Sequence, residues 1–467
     1  MSGSLAGDRS GIPLPDSPLA RIAPRLAGDG GRYRHPAMAN ERSPGAGEGE
    51  PGPPAPHPRS EEPGLLTVAA ARERLLRLVL PRVTGEELVT VREARGRVLA
   101  RTVAARWPLP GCDNSAMDGY AVRAADCAAS RPDSPVRLRV SGEAWAGSEP
   151  GSLAAGTAVA VATGAPIPAG ADAVVPVEDT RAAGDGEVLI LAAPGRGAHV
   201  RGAGSDAVPG MAMVPAGRRL RPVDIAACAA AGAESVWVHR RPRVALLSGG
   251  DELVPVGTPP APHQVTDSNS AMVAAAVAEA GGEAVRLGVA RDRRESVRQA
   301  LSAALGCDMV ITTAGVSVGG RDHVREVVAE LGRIEAWRVA VRPGKPLLVG
   351  LLGEVPMLGL PGNPASAAVT FELFARAALL GLQGATRLTR RLIAVRAGEP
   401  LEAPVHLETY LRARLVDAAD GIPVATLSGG QSSSMLRSLA EADALAVLPI
   451  GAGRVATGDL LTALELC

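Results

Sequence analysis

The spacing of apolar and polar positions divides the chain into blocks of different character. In "LTVAAARERLLRLVL" from Leu66, apolar residues recur at helical spacing up to Pro81. This predicts an amphipathic first helix. "TGEELVTVREARGRVLARTVAA" follows, with a helical middle expected. From Pro108 to about Ala192, short Val-rich runs such as "VRLRVSG", "TAVAVAT" and "DAVVPVE" are separated by Gly and Pro, which predicts a small all-β module. From about Arg241, the apolar runs "RVALLSGG", "EAVRLGVA", "DMVITTAGVSVGG" and "VPMLGLPG" alternate with the helical segments "SNSAMVAAAVAEAGG", "RESVRQALSAALG" and "DHVREVVAELG". Strand and helix in alternation imply a doubly wound α/β domain, its parallel sheet covered on both faces. After about Thr386, "RLIAVRAG", "TYLRARLVD", "IPVATLS" and "ALAVLPIG" read as another short β module. The most apolar stretch, from Pro346, is interrupted by Glu354 and Pro356 and reads as two buried strands rather than a membrane span.

Composition sharpens this division. Residues 1–64 are rich in Gly, Pro, Ser and charge, too polar to offset the entropy of ordering, and are expected to be a disordered tail. The remaining blocks are 65–107 with 193–240, the β module 108–192, the α/β domain 241–386 and the C-terminal module 387–467. The 49 basic and 49 acidic residues argue against a dedicated nucleic-acid binder. Five cysteines with no C-x-x-C pair argue against a disulfide framework or a structural zinc site. No signal-peptide run opens the chain, and a cytoplasmic protein is expected.

Three strand ends in the α/β block carry glycine turns: Ser248-Gly249-Gly250, the stretch from Ala314 through Gly315, Ser317 and Gly319 to Gly320, and Leu360-Pro361-Gly362-Asn363-Pro364. One such turn merely closes a βα connection. Three at one sheet edge point to a phosphate-bearing ligand, because glycine admits close backbone approach and helix N–H groups favour an anion. The acids Asp251, Glu252, Asp292 and Asp322 fall at the same edges, where a hard cation such as Mg²⁺ would reconcile them with phosphate; singly, each reads as an ordinary surface acid. Arg338, Arg342 and Lys345 in "AWRVAVRPGKPLLVG" offer forks and a point charge to an oxyanion, or form a solvated rim. The histidines are scattered, and no G-x-S-x-G accompanies Ser115 or Ser317.

"DNSAMDGYAV", "TGAPIPAGADAVV", "GDEL", "TDSNSAM", "GVSVGGRD", "RPGKP" and "GLPGNPASA" occur in that order. Together they resemble the MoeA family of molybdopterin molybdenumtransferases, which includes the C-terminal domain of gephyrin. The resemblance runs from about residue 65 to the end. It implies an elongated four-domain protein, a homodimer, that takes adenylylated molybdopterin and molybdate with Mg²⁺ and releases AMP. It also implies an adenylyltransferase of the same pathway and recipient molybdoenzymes as partners. By the same resemblance Asp118, Thr163, Glu252, Asp292 and Asp322 are catalytic, the last three also as metal ligands. Ser248, Gly249, Gly250, Gly315, Ser317, Gly319, Arg338, Arg342, Lys345, Pro361, Gly362, Asn363 and Pro364 would hold the pterin nucleotide. Asp118 and Thr163 would face a site shared between two chains, while Asp113 is assigned to an Asx-turn.

The chain departs from the family's usual spelling at several places. Gly202 and Ser205 stand for an arginine and a glutamate, although Arg201 and Asp206 remain. Ala314 stands for glycine, Cys112 for phenylalanine, and Ser432 and Ser434 for glycine and histidine. These changes support an alternative reading as a non-catalytic molybdopterin or cofactor carrier. A scaffold and a tungstate-using enzyme are further readings.

Overall fold

The computed structural model describes residues 65–313, 315–316 and 323–466, so the expectation of disorder for 1–64 lies outside the described residues. The first helix, Val68–Val79, starts where Thr67 Oγ1 accepts the Ala70 N–H at 3.1 Å. Its buried stripe is Val68, Ala71, Leu75, Leu78 and Val79. The chain then tightens into one 3₁₀ turn, Leu80–Arg82, containing Pro81, which has no N–H to continue the helix.

The next segment corrects the expected helical middle. Glu86–Thr90 is a strand, antiparallel to Ser235–His239 with Leu88 opposite Trp237. Only Val91–Glu93 coils, as a single 3₁₀ turn. The β-branched run Val89-Thr90-Val91 suits a pleated surface, and its pairing partner lies far along the chain, where local periodicity carries no trace of it.

A six-stranded sheet occupies Gly119–Ile190. Its order is Ala173–Pro176, Gly119–Val122, Thr157–Val161, Val136–Ala144, Glu187–Ile190, Thr180–Gly184. Val136–Ala144 and Thr157–Val161 run parallel, so both end at the same edge.

The second six-stranded sheet has the order Glu283–Ala290, Arg243–Gly249, Met309–Thr313, Val355–Leu360, Leu348–Leu352, Gly332–Trp337. Alternate residues serve opposite faces. Val244, Leu246 and Ile311 pack with the first helix and the long helix Pro364–Leu382, whereas Ala245, Leu247 and Val310 pack under the helices Arg294–Ala303 and His323–Leu331. The sheet is not wholly parallel as expected. Leu348–Leu352 is antiparallel to both neighbours, because the Gly353-Glu354 turn is far too short for a parallel crossover.

The C-terminal strands close on themselves. Glu408–Val416 pairs with both Val424–Leu427 and Ala444–Leu448, and Leu392–Ala397 and Leu460–Glu465 complete the ring. Val341–Arg342 adds to this barrel in parallel with Glu408-Thr409, which ties the cationic turn of the α/β domain to it.

Helix Pro364–Leu382 is long and apolar enough to cross a membrane by length and composition, yet 89% of its apolar window is buried inside the fold. It is a core helix. Near its middle, Arg376 donates to Glu372 at 2.6 Å and to Glu279 at 3.0 Å, and Arg390 donates to Glu372 at 2.7 Å. Burial pushes the Glu372 carboxyl up, but the hydrogen bonds and charges of Arg376 and Arg390 outweigh it and hold the carboxyl below its ordinary value. A depressed carboxyl stabilises the fold above its unfolded pKa, and that stability is lost as pH falls through the folded one. Glu372→Gln should therefore cost roughly 3–5 kcal/mol at neutral pH by leaving Arg376 buried against too little charge. Urea melts of both proteins test this: the gap between them should narrow on acidification below about pH 4.

Candidate active site

The parallel strands Arg243–Gly249, Met309–Thr313 and Val355–Leu360 end side by side. Beyond their carboxyl ends lies a cleft of about 970 Å³. The first strand has its successor, Glu283–Ala290, on one side and Met309–Thr313 on the other, so the cleft opens at a topological switch point.

One wall is the turn Pro361-Gly362-Asn363-Pro364, with Pro364 as the first residue of the long helix. The facing wall is Arg342-Pro343-Gly344-Lys345-Pro346. Gly344 has φ +115°, and a Cβ there would lie 2.4 Å from Thr370 Cγ2. Only glycine lets this turn lie against the long helix and present Lys345 to the cleft. Glu252 and Gly315 line the cleft from the other two strand-end loops. Gly250, at φ +137°, leaves the room that the Glu252 carboxylate fills. Trp337 Nε1 donates to the Val316 carbonyl at 3.1 Å and so steadies the loop after Thr313.

The expected residues separate into groups. Glu252, Gly315, Arg342, Lys345, Pro361, Gly362, Asn363 and Pro364 line the cleft. Ser248, Gly249, Gly250, Asp292 and Arg338 do not. Ser248 is buried, its hydroxyl 3.1 Å from that of Thr313, inside the sheet rather than on the cleft wall. Asp292 sits at the outer strand's end, where its N–H faces Asp251 Oδ1 at 3.4 Å. Ser317, Gly319 and Asp322 lie outside the described residues. Among the described residues, no three His, Cys, Asp or Glu side chains come together as a metal site.

Asp118 and Thr163 meet each other at the edge of the small β sheet. Thr163 donates its N–H at 2.6 Å and its hydroxyl at 2.9 Å to Asp118 Oδ1, which holds that exposed carboxyl below the ordinary range. Neither residue lines the cleft. Asp113 does scaffolding work of another kind than an Asx-turn: its Oδ1 accepts the Ala203 N–H at 2.8 Å, binding the 112–118 loop to segment 200–205. Gly202 and Ser205 thus belong to the backing of that loop.

Two elements of the cleft were not among the expected site residues. Asp267 caps helix Ser268–Glu279 by accepting the Ser270 N–H, and Asn269 Nδ2 donates to the Gly362 carbonyl at 2.6 Å. Asn269 Oδ1 is buried without a hydrogen-bond partner. A polar Asp-Ser-Asn triplet heading an apolar helix was the available signal. The second element is Gln431-Ser432-Ser433-Ser434 from the barrel. Ser433 accepts at its carbonyl from the Ala365 N–H at 3.0 Å and at its hydroxyl from Asn363 Nδ2 at 2.9 Å. The barrel loop therefore takes one of the helix N–H groups that sequence reasoning reserved for an anion.

Arg412, wholly buried in the barrel, holds that loop from behind. It donates to the carbonyls of Gly430 and Ser432 at 2.8 and 3.0 Å and to Ser438 Oγ at 3.0 Å. Burial without a counter-charge lowers its pKa.

Comparison with known proteins bears on this arrangement directly. Residues 66–232 match the MoeA N-terminal region (domain I and II), 245–381 a probable molybdopterin binding domain, and 394–466 the MoeA C-terminal region (domain IV). The chain belongs to the MoeA family. It is 39% identical over 388 residues to a molybdopterin molybdenumtransferase of Nostoc sp., covering 81% of this chain and 88% of that one. It is 36% identical over 396 residues to molybdopterin molybdenumtransferase 1 of Mycobacterium tuberculosis, covering 80% and 93%. The structure of a molybdopterin biosynthesis MoeA protein from Pyrococcus horikoshii OT3 matches with a TM-score of 0.72 at 25% identity, covering 86% of this chain and 100% of that one. The MoeA C-terminal region is the part that carries Arg412 and the serine loop.

Arg412→Lys keeps the charge but not the fork that reaches Ser438 Oγ through Nε and both loop carbonyls through Nη2 at once. Backbone hydrogen exchange should rise at least tenfold over 430–434, about 1.4 kcal/mol of lost local stability, while exchange in the Arg243–Gly249 strand stays slow. Unchanged protection of 430–434 would show that the loop holds itself.

Proposed function

We propose that this protein inserts molybdenum into molybdopterin: adenylylated molybdopterin and molybdate enter, and molybdenum-bearing molybdopterin and AMP leave. The observation that supports this most is the convergence of Lys345, Arg342 and the 361–364 turn on one cleft at the sheet's switch point. A phosphoanhydride and molybdate are both tetrahedral oxyanions. They call for a point charge, a guanidinium fork and N–H or O–H donors, which Lys345, Arg342, Asn363 and the serine loop supply.

Glu252 offers the cleft an exposed carboxylate. Asp267 also lines it, but its Oδ1 is spent on the Ser270 N–H. One free carboxylate beside a phosphate suits Mg²⁺, which takes one or two carboxylates and fills its shell with phosphate oxygens and water. When bound there, Mg²⁺ would neutralise phosphate charge in the bond that breaks. Asp292, at the end of the outer strand, is a further candidate for the same ion, and Asp322 is one by sequence alone.

The active form in this reading is a homodimer. Asp118 and Thr163 stand off the cleft of their own chain, and the edge that carries them closes the cleft of a second copy. The exposed Cys112 and the buried Cys127 and Cys228 are free thiols, which suits a reducing cytoplasm. An adenylyltransferase would supply the substrate, and molybdoenzymes would receive the product. A carrier without turnover is the second reading, which relatives named molybdopterin molybdenumtransferase do not favour; its one support is that Ser432 and Ser434, both departures from the family spelling, line the cleft itself.

Single-turnover release of AMP from adenylylated molybdopterin with Mg²⁺ tests the reading, and it should depend on molybdate. Tight pterin binding without AMP release would establish the carrier instead. Asp118→Asn and Lys345→Ala should each lower turnover about 100-fold or more. If the site is shared, mixing the two inactive variants restores roughly a quarter of wild-type activity, since half the dimers are mixed and each of these rebuilds one intact site. No recovery in verified mixed dimers would place both residues in one chain's site.

A further inference from the structure

In a chain with four tryptophans, three tyrosines and two phenylalanines, Trp145 is 61% exposed. Its place in the sheet is specific. Ala144 pairs with Val161 at the ends of two parallel strands, and the Ala162 N–H donates to the Ala144 carbonyl at 3.1 Å. Trp145 and Thr163 therefore leave neighbouring strands at the same edge. Gly119 pairs with Val161 from the other side, which puts Asp118 at that edge too. A Cβ on Gly164 would be 3.7 Å from the Ala146 Cβ, so the two loops touch.

The indole is exposed but its loop is well held. The Trp145 N–H donates to Ser148 Oγ at 3.1 Å, and the Trp145 carbonyl accepts the Ser148 hydroxyl at 2.7 Å and N–H at 3.0 Å. The backbone positions of Trp145 and Asp118 lie two strand spacings, about 10 Å, apart at that edge, with the indole solvated and the carboxylate held by Thr163. A fused heterocycle carrying an amino group spans that gap: its face stacks on the indole and its N–H donors reach the carboxylate.

We propose that Trp145 and Asp118 form a subsite for the planar, amino-bearing nitrogen heterocycle of the substrate, with Trp145 as the stacking platform. The inference rests on the proposed function for its substrate. Both ends of that molecule have the required chemistry: adenine carries an exocyclic amine, and a pterin carries an amine next to a ring N–H.

Equilibrium binding separates the two sources, using AMP alone and a simple 6-substituted pterin alone as probes on the full-length protein. Trp145→Ala should weaken one of them about tenfold, and Trp145→Phe should restore most of the loss. Trp145→Leu, which keeps bulk without a ring, should not. In turnover, Trp145→Ala should raise KM far more than it lowers kcat. Equal binding of both probes by wild type and Trp145→Ala overturns the subsite. So does a loss that Leu restores as well as Phe, or one that follows a weakened dimer in sedimentation, since the indole would then be a contact between copies. Probe binding that depends on Trp145 in a protein that releases no AMP would leave the subsite standing and the transferase reading refuted.

Discussion

The long helix Pro364–Leu382 is the member on which the other parts are hung. It carries both phenylalanines of the chain, Phe371 and Phe374, at 1% and 0% exposure. In a core built mostly from Leu, Val, Ile and Ala, losing either ring would cost roughly 3–5 kcal/mol. A π turn at Phe371–Ala375 absorbs an extra residue in mid-helix. The first helix packs along it. At its C-terminal end, the Thr84 N–H donates to the Leu382 carbonyl and Gln383 Nε2 to the Ala280 carbonyl, fastening the segment before Glu86 and helix Ser268–Glu279. At its N-terminal end the barrel's Ser433 caps it, and the cleft lies there. The buried charge cluster around Arg376 is satisfied only while Glu279, Glu372 and Arg390 stay in register. The cleft's geometry is therefore coupled to the same packing that holds the domains' elements in place.

Local signals were enough for much of this architecture. The first helix, the Val-rich strands between Gly119 and Ile190, and the alternation from Arg243 onward each show their period in the chain. So did the interruption at Glu354 that makes two buried strands of one apolar run. The failures share a cause. Glu86–Thr90 is a strand because Ser235–His239 lies beside it, and nothing nearby in sequence announces that partner. Leu348–Leu352 reverses direction because a two-residue turn leaves no length for a crossover, a constraint that outranks the regional habit of parallel pairing.

The site divides along the same line. Turns built from Gly and Pro are legible, because their residues are chosen for backbone shape: Pro361–Pro364 and Arg342–Lys345 face each other across the cleft. Side chains recruited from elsewhere are not. Asn269 and Ser433 reach the 361–364 turn through single hydrogen bonds from distant elements. Ser248 shows the converse. Its position before two glycines resembles a ligand loop, but a buried hydroxyl must find a partner, and Thr313 on the adjacent strand supplies it.

Two of the places where the chain departs from the family spelling carry different consequences. Gly202 and Ser205 lie in the segment whose Ala203 N–H binds Asp113, so they bear on how the 112–118 loop is held. Ser432 and Ser434 lie in the cleft and bear on what meets the substrate there. With serine at 434, no histidine lines the cleft among the described residues. Histidine is the side chain whose ordinary pKa falls between about pH 5 and 8. The hydroxyls in its place, 3.2 Å apart, can donate to an oxyanion at any such pH. The substitution thus exchanges a titratable side chain for a hydroxyl whose hydrogen bonding does not change across that range.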